Sequence, residues 1–198
     1  MPIKTYQRKE VHTLLERLAE PPRLLTFVAG PRQVGKTTLV RDALAQYGRN
    51  RYSFVPVDRP DEVRSSGFAF AESDTYEQAG RPRDAAWLVR QWQLARIAAR
   101  ESVEGHILAL DEIQKIPRWS EAVKGLWDAD RAEGLKLHVV LLGSSPLLMQ
   151  KGMSESLAGR YELIRVTHWS FLEMYEAFDF NNQRIIVAMH CYPICKSG

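Results

Sequence analysis

The segment GPRQVGKTTL (residues 30–39) constrains the fold of this chain more than any other stretch. It fits the pattern G-x-x-x-x-G-K-[ST] and directly follows the apolar run LLTFVA. Because glycine permits positive φ and close approach of the backbone, a loop of this kind can aim several N–H groups at a phosphate group. A helix that begins at the end of the loop adds the positive end of its dipole. The alternative interpretation is a glycine-rich turn beside an unrelated lysine.

Each position of the loop has a physical reason. The two glycines shape the backbone, the Lys36 ammonium can reach the β- and γ-phosphates of a nucleotide, and the Thr37 hydroxyl can ligate Mg²⁺. We therefore predict nucleotide contacts along the whole loop, from Gly30, Pro31, Arg32, Gln33, Val34, Gly35, Lys36, Thr37 and Thr38.

Short apolar runs that are typical of buried strands alternate with helical patterns along the chain. The predicted strands are LLTFVAG, RYSFVPVD, HILALDE, KLHVVLLGSS and RYELIRV. The predicted helices lie at residues 7–20, 36–46, 85–100, 119–134 and 146–159. This alternation predicts an α/β fold with a parallel sheet covered by helices on both faces. Residues 60–83 have no clear periodicity and are predicted to form a loop with at most one short helix.

Composition and charge exclude several classes of protein. No apolar run approaches the roughly 20 residues that a membrane-spanning helix needs. The N-terminal stretch has no continuous apolar segment, so we expect no secretory signal and a cytoplasmic location. Cys191 and Cys195 are accordingly expected to be free thiols. The formal net charge of +3 permits contact with nucleic acid but does not argue for it.

Two carboxylates follow the third predicted strand. Asp111 and Glu112 end the run HILALDE, at the carboxyl end of a buried strand where open α/β sheets bind ligands. Asp111 is placed to hold Mg²⁺, and Glu112 is placed to polarise an attacking water as a general base. An isolated pair of this kind often faces solvent, and the upstream loop favours the functional interpretation.

Two further side chains complete the candidate site. Ser144 ends the fourth predicted strand, where its hydroxyl could contact the γ-phosphate or the attacking water; helix capping is the alternative. Arg160 lies between a predicted helix and a strand, where its guanidinium could reach the γ-phosphate of a neighbouring subunit as an arginine finger. The alternative for Arg160 is an intramolecular salt bridge with Glu162 or Glu155.

Three segments, in this order along the chain, resemble a known family. GPRQVGKTTL, LDEIQKIPRWSEAVKGLWD and LLGSSPLLMQKGMSESLAGRYELIRVTHWSFLE resemble the prokaryotic AAA-family ATPases described as ATP-binding proteins, from about residue 3 to residue 176. The resemblance implies a P-loop NTPase fold of the additional-strand class, with the sheet order 5-1-4-3-2. It also implies ATP and Mg²⁺ as ligands. The residues that it carries over are Lys36, Glu112, Ser144 and Arg160 for catalysis and Thr37 and Asp111 for the metal.

The resemblance also suggests how the chain is divided. We expect an N-terminal helix packed on the core at residues 1–22, an AAA-type ATPase domain at 23–176 and a divergent tail at 177–198. Family members usually continue into a winged-helix-like segment and a nuclease-like domain. They typically carry a Gly-Gly-Tyr-Pro element where this chain has HCYP at residues 190–193. A truncated or frame-shifted gene product is the hypothesis that follows.

Three functions remain open at this point. The first is Mg²⁺-dependent ATP binding and hydrolysis that drives or switches an attached module, with a nucleic acid or a protein as the target and with a homo-oligomer formed through Arg160. The second is a nucleotide-gated interaction protein that binds ATP with little turnover. The third, a small-molecule kinase, needs an acceptor pocket and a lid to which residues 60–83 could contribute. The chain has no NKxD element that reads guanine, which favours ATP over GTP.

Overall fold

The computed structural model describes residues 6–58, 83–144 and 157–178. The predicted loop at 60–83, the predicted helix at 146–159 and the predicted tail at 177–198 lie mostly outside the described residues. The helices of the described part are α1 (Lys9–Ala19), α2 (Lys36–Leu44), α3 (Ala85–Glu101), α4 (Trp119–Glu133) and α5 (Phe171–Phe178). The strands are β1 (Leu25–Ala29), β2 (Tyr52–Pro56), β3 (His106–Asp111), β4 (Leu137–Gly143) and β5 (Tyr161–Arg165).

The five strands form one sheet in the order β2-β3-β4-β1-β5, and every neighbouring pair is parallel. This is the predicted order 5-1-4-3-2 counted from the other edge, so the predicted topology is confirmed. In the register of the sheet, Phe27 of β1 lies between Leu141 of β4 and Leu163 of β5. Because all strands run the same way, the residues that follow β1, β3 and β4 emerge at one edge of the sheet.

Two apolar cores lie on opposite faces of the sheet. Successive side chains of a strand alternate between faces, and accordingly Phe27 packs in one core while its neighbour Val28 packs in the other. Helices α3 and α4 cover the first face, and helices α1 and α2 cover the second. The tryptophans of α3 and α4 are buried in the first core, as expected for residues at helical spacing: Trp87, Trp92, Trp119 and Trp127.

A cluster of polar side chains links α3 to α4 on the first face of the sheet. The carboxylate of Asp130, which is 1% exposed, accepts hydrogen bonds of 2.6 Å from Trp92 Nε1 and 2.6 Å from Arg96 Nε. The guanidinium of Arg96 also donates to the carbonyl of Leu126 at 2.8 Å. A buried charge without such partners would be strongly destabilising, so the cluster fixes how these two helices pack.

The contacts divide the chain into two units. One unit is Lys9–Thr167 and holds the whole sheet; the other combines residues 1–8 with residues 168–198. In the second unit Arg8 forms an ion pair of 3.0 Å with Glu173 and lies over the ring of Trp169. The domain limits at 22/23 and 176/177 stay predictions.

Most predicted elements occur within two residues of their predicted ends. Helix α4 stops where expected, since Gly134 has φ +67 and accepts the left-handed conformation that ends a helix. Helix α5 is an element that the sequence analysis did not assign, and its side chains Phe171, Leu172 and Tyr175 are exposed. Among the described residues, no helix is both long enough and apolar enough to cross a membrane.

We predict that two histidines, the buried His106 and the half-buried His138, make the stability of the fold depend on pH. Burial, together with a smaller contribution from the Arg51 charge, lowers the pKa of His106 and of His138 to about 4. The unfolded chain takes up protons near the ordinary histidine pKa of about 6.5, whereas the folded chain does not until about pH 4. Stability is therefore complete above the unfolded pKa and is lost as the pH falls through this window.

Urea unfolding at several pH values between 7.5 and 4.5 measures this loss. The variant His106→Gln is expected to lose less stability over the same range than the wild type does. His12→Gln, an exposed histidine on α1, is the matched control. An equally steep loss in His106→Gln and in the wild type would contradict the prediction.

Candidate functional site

The loop between β1 and α2 owes its path to a close backbone approach and two left-handed residues. A Cβ atom on Gly30 would lie 2.0 Å from the carbonyl oxygen of Val166, so only glycine fits there. Gln33 has φ +64 and Gly35 has φ +88. Such left-handed residues curl the chain so that neighbouring N–H groups converge on an anion. Gly35 is also the N-cap of α2 and supplies no side-chain cap, as expected at a helix N-terminus that binds an anion.

The Lys36 ammonium is folded back over this loop. Its Nζ donates to the carbonyl oxygens of Gly30 at 3.1 Å and Pro31 at 2.5 Å, and the residue is only 6% exposed. Burial lowers the pKa of Lys36, and the carboxylates of Glu112 and Asp111 oppose that shift. The cation is thus held in place by carbonyl groups that a phosphate oxygen could replace as partners.

One hydrogen bond joins the loop helix to the end of β3. The Thr37 hydroxyl donates to Asp111 Oδ2 at 2.8 Å, and Asp111 is only 7% exposed. Burial raises the pKa of Asp111, and the bond from Thr37 opposes the shift. The nearby carboxylates of Glu112 and Asp58 raise the pKa of Asp111 further. Among the described residues no three such side chains converge as a metal site, so the Thr37 hydroxyl and the Asp111 carboxylate are the oxygen groups that this point can offer a cation.

Glu112 lies at the next position, in a conformation that is unusual for a non-glycine residue. Its φ of +60 is in the left-handed region, and such conformations cluster at functional sites. Its Oε2 accepts hydrogen bonds from Ser144 Oγ at 2.8 Å and from Gln114 Nε2 at 2.6 Å. The predicted base and the predicted phosphate sensor are thus in direct contact.

An open pocket of about 520 Å³ lies at the carboxyl edge of the sheet, and Asp111 is not among the residues that line it. Seven of the predicted site residues contribute to its lining: Arg32, Gln33, Gly35, Lys36, Thr37, Glu112 and Ser144. Of the remaining loop positions, Gly30 and Pro31 offer carbonyls to Lys36, Val34 is buried in the second core, and Thr38 is exposed on α2.

Arg160 is not among the residues that line the pocket. Its guanidinium pairs with the carboxylate of Asp128 on α4, with distances of 2.7 Å from Nε to Oδ1 and 3.1 Å from Nη2 to Oδ2. Glu162, a suggested partner, instead binds Arg17 and Thr26. Both Arg160 and Asp128 are partly exposed, so the pair can open without uncovering a core.

The sequence analysis missed three residues of the site. Asp58 and Lys115 line the pocket and form an ion pair of 3.0 Å. Gln114 bridges Glu112 and Ser144. Asp58 had a detectable signal, because it follows the predicted strand beside β3 at the same sheet edge. Gln114 had none, since its position depends on a 3₁₀ turn over Ile113–Lys115.

With this geometry in place, comparison with known proteins is informative. A family model described as an AAA domain matches residues 22–175. The chain belongs to this family. The predicted resemblance is thereby confirmed for the ATPase domain, and family membership supports nucleotide binding as the general activity of the chain. No curated protein matches the sequence.

Two solved structures show the same fold at low identity. The Walker-type ATPase PABY2304 of Pyrococcus abyssi has a TM-score of 0.57 and 20% identity, over 96% of this chain and 62% of that one. The ORC2 protein of Aeropyrum pernix in its ADP form has a TM-score of 0.57 and 17% identity, over 94% of this chain and 54% of that one. This chain therefore spans less than two thirds of the length of either of these proteins.

We predict that Gly30→Ala damages both the fold and the pocket of this AAA domain. The added methyl group would collide with the Val166 backbone, beside the hydrogen bond of 2.8 Å from Val166 N to Ala29 O. Overpacking of this kind costs about 1–3 kcal/mol of stability. Thermal unfolding and nucleotide titration measure the two effects. Gly48→Ala, where the methyl group meets nothing within 4 Å, is the control and should unfold as the wild type does.

Proposed function

We propose that this AAA domain binds ATP together with Mg²⁺ and hydrolyses it, and that the cycle drives or switches an attached module. The observation that carries the proposal is the 2.8 Å hydrogen bond between Thr37 and Asp111. It joins Thr37, which lines the pocket at the start of the loop helix, to Asp111 at the end of β3, next to the pocket residue Glu112. The ADP form of the ORC2 structure supports an adenine nucleotide as the ligand.

The donor groups of the pocket suit Mg²⁺. This ion usually takes one or two protein oxygen ligands and completes its octahedron with waters and substrate phosphates. Thr37 and Asp111 offer a hydroxyl and a carboxylate within hydrogen-bond distance of each other. A bound Mg²⁺ would neutralise charge on the phosphates and relieve the repulsion among Asp111, Glu112 and Asp58 that raises the pKa of Asp111.

The side chains divide the work of hydrolysis. Lys36 exchanges its two carbonyl partners for phosphate oxygens, and the amides of the loop hold the same phosphates. Glu112 accepts a proton from the attacking water while the water oxygen bonds to the γ-phosphorus. The bond from the γ-phosphorus to the bridging oxygen then breaks, and ADP and phosphate leave. Ser144, in contact with Glu112, lies where it can contact the γ-phosphate or the water.

The alternative, a nucleotide-gated interaction protein with little turnover, is favoured by one observation. The cation predicted to act in hydrolysis, Arg160, is held by Asp128. A domain that lacks an arginine at the phosphates turns over about 10³–10⁵-fold more slowly. In this form of the proposal, occupancy by ATP is the signal that an attached protein or nucleic acid partner detects.

Two substitutions separate these functions. Lys36→Ala removes a charged partner of the phosphates and should weaken ATP binding about 10- to 100-fold. Glu112→Gln keeps the side-chain shape but not the base, and should lower phosphate release by about 10²–10⁴-fold while ATP still binds. Titration calorimetry with Mg·ATP and a phosphate-release assay measure the two effects, with the exposed Lys124→Ala as control.

Each result has a defined consequence. Equal, near-zero phosphate release in the wild type and Glu112→Gln, with ATP still bound, would remove hydrolysis and leave the gated binding protein. No binding of Mg·ATP at millimolar concentration would remove both functions. An unchanged dissociation constant in Lys36→Ala would contradict the role given to that ammonium.

A mixing experiment tests whether Arg160 acts on a neighbouring subunit. Arg160→Ala and Glu112→Gln should each be slow when assayed alone. In a mixture, a subunit that keeps Glu112 receives the guanidinium of a subunit that keeps Arg160, so phosphate release should rise above the sum of the two separate rates. Asp128→Ala, which removes the carboxylate that binds the Arg160 guanidinium, is assayed in parallel. A mixture no faster than that sum would contradict action in trans.

A further inference from the structure

We propose that Gln114 is a positioning residue of this site, whose amide ties the Glu112 carboxylate to Ser144 so that base and sensor act as one unit. The inference rests on the proposed hydrolysis and adds a residue that the predicted site did not include. Three atoms carry it, since Gln114 Nε2 lies 2.6 Å from Glu112 Oε2 and 3.0 Å from Ser144 Oγ, and Ser144 Oγ lies 2.8 Å from the same Oε2.

The chemistry of the groups fixes the direction of each hydrogen bond. An ionised carboxylate only accepts, so the amide atom of Gln114 next to Glu112 must be the nitrogen. The second N–H of that nitrogen points at Ser144, whose oxygen accepts it and whose hydrogen goes to Glu112. The three groups therefore form a closed triangle in which Glu112 Oε2 receives two donors.

The backbone folds so that this triangle can form. Glu112 adopts the left-handed conformation, and a 3₁₀ turn over Ile113–Lys115 follows it, closed by a hydrogen bond of 3.0 Å from Lys115 N to Glu112 O. Ile113 is fully buried and anchors the turn in the first core. Because the turn reverses the chain after β3, Gln114 returns to the side chain two residues before it.

The triangle leaves one oxygen of the base available. Across the described ranges of the chain, the hydrogen bonds to the Glu112 carboxylate both fall on Oε2. Two donors on one oxygen fix the plane of the carboxylate, and Oε1 remains to accept a proton from water. A shift of Ser144 on contact with a phosphate would reach Glu112 through the same bonds.

A purely structural role explains the geometry less well. Within the part of the chain that the structure describes, the other amide atom of Gln114, Oε1, is buried and has no hydrogen-bond partner. A buried acceptor without a partner destabilises a fold, so an apolar side chain of similar size would stabilise the turn better. The amide is explained if its two N–H groups are needed at Glu112 and Ser144.

Two variants test the proposal by different readouts. Gln114→Met keeps the volume but loses both donors, so kcat for ATP should fall about 10- to 100-fold because the base is misplaced. KM, ATP affinity and the unfolding midpoint should stay as in the wild type or, for the midpoint, rise. Gln93→Met, at an exposed position of α3, is the matched control and should leave all four values unchanged.

A double-mutant comparison provides a readout that a structural role would not move. In the Glu112→Gln background the base is already absent, so adding Gln114→Met should lower phosphate release no further. Gln114→Asn, which keeps the amide on a side chain one methylene group shorter, gives the same comparison where Gln114→Met does not fold.

The outcomes separate this inference from the function on which it rests. Wild-type kcat in folded Gln114→Met, or an equal further loss when Gln114→Met is added to Glu112→Gln, would overturn the positioning role while ATP binding and turnover still support the proposed function. Failure of the wild type to bind or hydrolyse ATP would overturn both. Lower kcat at unchanged KM, with no further loss in the Glu112→Gln background, is the expected result.

Discussion

The parallel pairing of β3, β4 and β1 is the constraint on which the rest of the structure depends. Side by side and in the same direction, these strands bring the phosphate-loop candidate, the acidic pair and Ser144 to one edge of the sheet. At this edge, the 2.8 Å hydrogen bond between Thr37 and Asp111 connects the start of α2 to the end of β3. Without the parallel order, segments more than 70 positions apart in sequence would not share a pocket.

The pocket combines buried charges of both signs. Lys36 is held by two backbone carbonyls, and Asp111 is held by a hydroxyl, so neither charged group is without a partner. An anion can replace the carbonyl partners of Lys36, and a cation can replace the hydroxyl partner of Asp111. Burial acts against the charge in each case, lowering the pKa of Lys36 and raising the pKa of Asp111. A ligand that carries phosphates and a divalent cation would stabilise a site of this kind, because it supplies opposite charges to both buried groups.

Arg160 lies outside the pocket lining, so a role for it in catalysis would require a second subunit. Its pair with Asp128 lies away from the pocket lining, on the side of α4. The pocket itself contains the cations Arg32, Lys36 and Lys115, of which Lys115 is already paired with Asp58. Under the proposed function, turnover by a single chain would depend on the pocket residues, and Arg160 would contribute only if its exposed pair opened toward a neighbour.

The sequence by itself determined the order of strands and helices, the loop and the acidic pair. Those features follow from local signals: glycine where φ is positive, apolar runs for buried parallel strands, and the contrast between buried runs and polar ends. The tertiary structure alone decided which side chains meet. The contacts of Gln114 with Ser144 and of Arg160 with Asp128 span about 30 positions, and they depend on how a turn and a helix pack, which no short-range pattern encodes.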